Sequence, residues 1–439
     1  MSPALRTMFQ SLDVRNYRLF ATGQIISLTG TWMQTIAQDW LVLELTDNSG
    51  TALGVVTALQ FTPMLLLMLY AGVLADRLDK RKVLIVTQSL MGLLALGMGV
   101  LVVSGAVQLW HVYVFAALLG MAQAFDNPTR QAFVSEMVGP DRLTNAVALN
   151  SATFNSARLV GPALGGLVIA AFDVGPAFLI NAATYVAVII AYFAMRGGEL
   201  ANTNRVERSP GQVLEGLRYV RSRPDLMLVV ALVFVVGTMG MNFNLTLPLL
   251  AKAEFGVGAA SFGLLSAAFA GGALAGALVG TRRRGRPSAP LLLTFAALFG
   301  AVEIAVAFAP SFALAALLLV PTGAFLIGHN NVANARMQLG APAHLRGRVM
   351  SLFMLVFLGG TPVGAIVVGV ISEHFGPRSG LIVGGVSALL AAGLLALLRA
   401  RRHGMKLRLH TRPTPHLHVA RPEADHDLRF PAGRQRAAR

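Results

Sequence analysis

The sequence contains no cysteine and few charged residues. Without cysteine, neither a disulfide bond nor a thiolate metal site can form. Charged residues make up 13% of its 439 residues, against roughly 25% in soluble domains, and 55% are hydrophobic. It also lacks the Gly-x-x-x-x-Gly-Lys-Ser/Thr loop that cradles ATP phosphates, and the spacing of its residues shows no nucleophile–base pair. The composition therefore predicts a polytopic membrane protein that is not an enzyme and is not driven directly by ATP.

Apolar runs long enough to cross a membrane recur along the chain, separated by short polar segments. They predict an all-α membrane protein with twelve transmembrane helices. In the first half these cover residues 19–43, 52–75, 83–103, 110–125, 143–172 and 176–195. In the second half they cover residues 226–250, 261–281, 290–308, 313–334, 349–371 and 379–398.

The basic residues give the predicted topology. Net charge is +16, and of the 36 Lys and Arg residues all but Arg158, Lys252 and Arg378 fall on one side of the predicted spans. Such a bias marks the cytoplasmic side of a membrane protein, so both termini are expected in the cytoplasm. The same bias explains the net charge without nucleic-acid binding. The expected location is the cytoplasmic (inner) membrane, with the lipid bilayer as solvent.

The loop after the second span carries six charges in seven residues. Residues 72–82 read Gly-Val-Leu-Ala-Asp-Arg-Leu-Asp-Lys-Arg-Lys. This stretch resembles the helix 2–3 loop of the major facilitator superfamily of transporters, Gly-x-Leu-Ala-Asp-Arg-x-Gly-Arg-Lys, with Asp79 replacing the second glycine. The variant resembles the branch of enterobactin exporters and macrolide efflux proteins, the transmembrane secretion effector family. In the fifth span, Gly161, Pro162, Gly165 and Gly166 resemble a signature of superfamily antiporters.

The resemblance implies two six-helix halves around a central cavity, which rock to expose it to one side at a time. The predicted halves are residues 1–195 and 226–398, joined by a cytoplasmic linker at 196–225 and followed by a basic, disordered tail at 399–439. The implied activity is proton-coupled export of small amphipathic molecules such as drugs, siderophores or other secondary metabolites, by a monomer without a cofactor. Alternatives are an importer or facilitator of a polar metabolite, and a non-transporting receptor or scaffold.

One feature of the superfamily is missing from the predicted spans. Many members carry an Arg in helix 4 that is linked to proton coupling, but residues 110–125 contain none. The Asp76 carboxylate is instead expected to act as a latch, held at the positive N-terminus of helix 11 near residues 347–349 in the outward-open state. The predicted latch network consists of Gly72, Asp76, Arg77, Arg81, Asp126 and Arg130.

Polar residues inside the spans are candidates for the cavity lining, or else for hydrogen bonds between helices. The candidates are Gln34, Gln38, Asn150, Arg158, Asn242, Asn244 and Asn331. Arg158 also belongs to the helix 5 motif; it is expected either to contact an anion or substrate, to form part of a gate, or to cap carbonyls beside the Pro162 bend. Asp39 and Glu303 are possible proton sites, although Asp39 also suits the outer interface and Glu303 a pair with a neighbouring helix.

Overall fold

The computed structural model describes residues 9–200, 212–280, 285, 287–342 and 344–402, together with two strands at 406–410 and 416–420. For residues 69, 72–77, 212–214, 402 and the two strands it describes the backbone alone.

The first half of the chain folds into six long helices. A 64-residue helix, Leu109–Phe172, is interrupted at Gly139, whose φ of 69° and ψ of 172° are not helical; α4 denotes residues 109–138 and α5 residues 140–172. The others are α1 (Arg15–Leu45), α2 (Gly50–Arg77), α3 (Lys80–Val103) and α6 (Val174–Ala194), with short 3-10 turns at Gln10–Asp13 and Gly197–Glu199.

The second half begins with a short amphipathic helix and contains helices that are broken within the span. The helices are α7 (Gln212–Ser222), α8 (Pro224–Val235), α9 (Phe243–Leu249), α10 (Ala259–Gly280), α11 (Ala289–Ala307), α12 (Phe312–Gly340), α13 (Arg346–Gly359), α14 (Thr361–Phe375) and α15 (Pro377–Arg402). Two π-helical turns, Val236–Gly240 and Leu250–Glu254, join α8 to α9 and extend α9. Helices α13 and α14 meet at Gly360 and together make one span.

Within the described residues, ten helices are long and apolar enough to cross a membrane. Helix α1 is not among them, although it has 31 residues, because it carries polar side chains that are buried against other helices. The predicted end of the fourth span at residue 125 is wrong. The helix continues to residue 138 because its polar residues Asp126 and Thr129 are buried within the bundle rather than exposed in a loop.

The tail differs from the sequence-based expectation of disorder in one place. Strands β1 (Lys406–His410) and β2 (His416–Ala420) pair antiparallel, with Leu407 opposite Val419 and Leu409 opposite Leu417. The alternation of apolar with basic or polar residues in these segments has the period of two that a strand requires.

Candidate functional site

The helix bundle has two ends. The linker end comprises the turns at 78–79 and 195–200, residues 285, 287–288, 341–342 and 344–345, and α7. The far end comprises the turns at 46–49, 104–108, 255–258, 308–311 and 376. Contacts between the halves concentrate at the far end, where α2 meets α14. The Glu373 carboxylate accepts hydrogen bonds from the Ser49 hydroxyl (2.7 Å) and the Thr51 backbone N–H (2.8 Å).

Small residues allow α2 and α14 to approach at backbone distance. A Cβ on Gly50 would lie 2.6 Å from the carbonyl oxygen of Gly369, and one on Gly54 would lie 2.5 Å from that of Ala365. Real Cβ atoms essentially never come closer than 3.0 Å to such atoms. Close packing through small residues is the usual way in which helices associate in lipid. These contacts hold the far end closed.

The helix 5 motif makes a second such contact between the halves. A Cβ on Gly166 would lie 2.6 Å from the carbonyl oxygen of Ala259 on α10, and one on Gly263 would lie 2.5 Å from the carbonyl oxygen of Pro162. On the other side of α5, Gly161 and Gly165 lie against α1. The motif therefore lets α5 pack closely on both its own half and the opposite one.

One face of α5 changes from exposed to buried along its length. Residues 147, 151, 154, 158, 162, 165 and 169 follow helical spacing and share this face. Val147 and Phe154, on its linker-end part, are 51% and 38% exposed, whereas Pro162, Gly165 and Ile169 are buried against α1 and α10. The space between the halves is therefore open toward the linker end and closed toward the far end.

Arg158 lies where this face passes from exposed to buried. Its guanidinium carbon is 5.5 Å from the ring centre of Trp32 on α1 and 5.9 Å from that of Phe269 on α10. Phe154 packs edge-on against Trp32 at 5.9 Å, and Phe243 lies 4.3 Å from Phe269 between ring centres. The guanidinium thus lies against two aromatic rings, one from each half, and each of these rings packs on a further ring of its own half.

The other polar candidates divide into two groups. Gln34 and Asn242 have structural partners: Gln34 accepts a hydrogen bond from the Asn181 amide (2.7 Å), and the Asn242 amide donates to the carbonyls of Thr238 and Met239. Asn244 is the exposed residue of α9, whose other members are buried.

Three further candidates are less central. Gln38 is buried in α1, and Asn150 is half-buried on α5. Asn331 lines a 380 Å³ pocket between α10, α11 and α12, which involves the second half alone.

The residues of the predicted latch are not all brought together. The side chains of Gly72, Asp76 and Arg77 lie outside the described ones. Arg81 donates to the carbonyls of Tyr192 (2.8 Å) and Phe193 (3.1 Å) and so caps the end of α6. At the start of α13, where the Asp76 carboxylate was expected, Arg348 forms an ion pair with Glu215 of α7.

Asp126 and Arg130 form a buried network inside the first half. Asp126 accepts hydrogen bonds from Thr87 (3.0 Å) and Gln88 (2.8 Å) on α3, and its carboxylate lies 3.5 Å from Arg130 Nε. Arg130 Nη1 donates to Gln24 on α1 (3.1 Å). The fourth helix therefore does carry an arginine, Arg130, but it lies beyond the predicted span and pairs with Asp126. Thr87 and Gln88 are not among the residues predicted from the sequence, where their one signal is polarity within an apolar run.

The two possible proton sites are both buried carboxyl groups. Asp39 is 4% exposed, so its side chain is buried against other helices. Glu303 on α11 is 2% exposed. Asp39 Oδ2 and Glu303 Oε2 have no hydrogen-bond partner in the described part of the chain.

Glu303 lies beside the broken helices of the second half. Its Oε1 is 2.7 Å from the position of a Cβ on Gly384 of α15, and its Oε2 is 3.5 Å from that of a Cβ on Gly240 in the first π-helical turn. The same turn packs on the α13–α14 junction, because Thr238 occupies the space beside Gly360 and Gly364. Among the described residues, no group of three His, Cys, Asp or Glu side chains is arranged to hold a metal.

A space between two helical halves, open toward one end and closed toward the other, is the arrangement of a membrane transporter. The chain matches the transmembrane secretion effector family over residues 6–429 and belongs to that family, within the major facilitator superfamily. It is a multi-pass membrane protein, and its relatives are transporters rather than enzymes.

Several named relatives align over most of their length. The staphyloferrin A transporter of Staphylococcus aureus is 24% identical, over 85% of this chain and 93% of its own. The multidrug efflux pump Tap of Mycolicibacterium fortuitum is 28% identical, over 86% of this chain and 94% of its own. The enterobactin exporter EntS of Shigella boydii is 23% identical, over 87% of this chain and 91% of its own. A bacterial homologue of the human lysosomal transporter Spinster, solved in an inward-facing and occupied conformation, has the same fold. Its TM-score is 0.70 at 15% identity, and the match covers 88% of this chain and 97% of the homologue.

Proposed function

We propose that the protein is a secondary active exporter of small amphipathic molecules that works as a monomer by alternating access. The observation that carries this proposal is the space between the halves, which is open toward one end, closed by glycine contacts toward the other, and holds the Arg158 cation between one aromatic ring of each half. The twelve-helix topology is part of the proposal. When α1 is added and the 64-residue helix is counted as two spans, the ten apolar helices become twelve.

The linker end is the cytoplasmic end in this proposal. It carries Asp79 to Lys82 and α7, whose Arg residues extend the positive-inside bias. The structure then corresponds to an inward-open state, in which a molecule enters from the cytoplasm or the inner leaflet. Rocking of the halves would separate α2 from α14, break the Glu373 hydrogen bonds, and open the cavity outward.

The proposed latch at the linker end belongs to the opposite state. Here Arg348 at the start of α13 pairs with Glu215. When the linker end closes, Asp76 reaches the N-terminus of α13, where the helix dipole favours a carboxylate. Asp126 and Arg130 are kept as a structural pair that fixes α4 against α1 and α3.

Protons are the proposed energy source, and Glu303 is the preferred site. A carboxylate without a partner is costly in such surroundings, and gaining a proton removes that cost. Because Glu303 adjoins Gly240 in the π-helical turn that packs on the α13–α14 junction, a change in its charge would act on the two broken helices. Asp39, which is buried in α1, is the second candidate.

The relatives support the direction of transport. Their names describe a siderophore exporter, a multidrug efflux pump and a staphyloferrin A transporter. The proposal carries over the general class, an amphipathic molecule moved out of the cell, without choosing any of those compounds.

The test is accumulation of fluorescent and antibiotic compounds in cells that express the protein or its Glu303→Gln form, with and without a protonophore. Lower accumulation with the intact protein, lost in the variant and with protonophore, is expected. Higher accumulation with the intact protein would indicate import and contradict the proposal. Unchanged accumulation of every compound, with membrane insertion verified, would favour a receptor or scaffold.

A further inference from the structure

Arg158 is held in an apolar cage without a counterion among the described residues. Trp32 and Phe154 come from the first half and Phe243 and Phe269 from the second, and the Arg158 guanidinium lies within 6 Å of Trp32 and Phe269. Attraction to ring faces stabilises a guanidinium by about 0.5–2 kcal/mol. A single such contact is worth less than the roughly 2.5–3.5 kcal/mol that an arginine costs at the centre of a membrane helix.

The acidic residues of the surrounding helices do not neutralise this charge. In the described part of the chain no hydrogen bond or ion pair joins Arg158 to another residue. On α1, Asp39 is buried without a partner and Glu44 accepts from the Trp40 indole; on α5, Asp141 and Asp173 lie at its two ends. Helices α9 and α10 contain no acidic residue.

The guanidinium can therefore accept a ligand that brings a negative charge. It has five N–H donors in a planar fork that matches a carboxylate or sulfonate. The cage opens to the exposed part of the α5 face, at Phe154 and Ser151, so a ligand from the linker end reaches Arg158 before the closed region. The rings beside it offer flat apolar surface for the rest of the molecule.

We propose that the cavity binds amphipathic organic anions, whose anionic group pairs with Arg158 while their aromatic or planar part packs among Trp32, Phe154, Phe243 and Phe269. This assignment rests on the proposed function and narrows its substrate class. Because the four rings come equally from the two halves, a bound anion touches both and is released when they separate around it.

A binding experiment tests this without requiring transport. The chain has three tryptophans, Trp32, Trp40 and Trp110. Replacing Trp40 and Trp110 by Phe leaves Trp32, beside Arg158, as the one donor for energy transfer to a dansyl group. Two dansyl probes of opposite charge, N-dansylglycine (a carboxylate) and dansylcadaverine (an ammonium), are titrated into the purified protein.

Saturable transfer from Trp32 to dansylglycine is expected, with dansylcadaverine binding at least about tenfold more weakly. Loss of a charge-assisted hydrogen bond predicts that Arg158→Met binds dansylglycine about ten- to a hundredfold more weakly. Arg158→Lys keeps the charge but loses the planar fork, so its dansylglycine binding should lie between that of the parent and that of Arg158→Met. Arg218→Met, which removes an exposed cation of α7, should bind like the parent.

Three results would overturn the assignment: equal binding of both probes, unchanged dansylglycine binding by Arg158→Met, or no saturable transfer from Trp32. The probe comparison needs no substitution at Arg158, so it stands even if Arg158→Met fails to fold. Failure of the exporter proposal is seen separately. In that case dansylglycine binds at Arg158, but neither it nor any compound of the accumulation panel leaves the cells.

Discussion

Substituting Gly54 by Val should shift the protein away from the state in which the far end is closed. A Cβ at this position would lie 2.5 Å from the Ala365 carbonyl oxygen and 3.1 Å from its carbonyl carbon. Both are backbone atoms, so no side-chain rotation can relieve the overlap. To restore ordinary contact at 3.4 Å, α2 and α14 must separate by about 1 Å.

The size of the shift follows from the energy of overpacking. Inserting methyl groups into a close contact costs about 1–3 kcal/mol. If this cost falls only on the state in which the far end is closed, the ratio of that state to the one in which the far end is open falls by about 5- to 150-fold. Gly97→Val on α3 is the matched control, because a Cβ there meets nothing within 4 Å.

The absence of native cysteine makes the assay simple. A single Ser151→Cys substitution places a thiol on the exposed part of the α5 face, where a membrane-impermeant maleimide reaches it from the linker end. Gly54→Val should slow this labelling severalfold, whereas Gly97→Val should not change it. Equal or faster labelling with Gly54→Val would refute the view that the glycine contacts hold the far end closed.

Three other substitutions have defined outcomes. Glu303→Gln should keep dansylglycine binding but lose protonophore-sensitive export, measured in the same cells; unimpaired export would exclude Glu303 as the proton site. Glu373→Gln weakens two hydrogen bonds to the start of α2, which should destabilise the state with the far end closed by about 1–2 kcal/mol. Maleimide labelling of Ser151→Cys should therefore slow severalfold or more, as it does with Gly54→Val. Asp126→Asn leaves the buried Arg130 uncompensated, so thermal unfolding in detergent should show destabilisation by about 3–5 kcal/mol. Adding Arg130→Gln should recover part of this loss. If the effects of the two substitutions simply add, the interaction between Asp126 and Arg130 is contradicted.

The spans were largely predictable from the sequence because lipid demands long apolar helices. Errors arose where polar residues are buried against protein. The sequence predicts that the fourth span ends at residue 125 because Asp126 follows it. The helix continues because Asp126 is paired with residues of α3, which are too distant in sequence for the pattern to indicate.

The composition of the candidate site was less predictable. The sequence singles out Arg158 as a charge within a span, but it does not rank the other six polar candidates. Packing separates Gln34 and Asn242 from the rest, because their amides are satisfied by Asn181 and by backbone carbonyls. The aromatic cage was not predicted at all. Trp32, Phe154, Phe243 and Phe269 are ordinary apolar residues in their spans, and they converge because the glycine contacts set the separation of the halves.

Distances across both ends of the bundle test alternating access most directly. Spin labels on cysteines introduced in place of Asp141 and Leu339 span the linker end, and labels in place of Ser104 and Ser311 span the far end; all four positions are exposed. In lipid, Gly54→Val should shorten the first distance and lengthen the second relative to the parent protein, while Gly97→Val changes neither. Distances that move in the same direction, or that stay fixed in every variant, would contradict the proposed rocking of two halves around the Arg158 cavity.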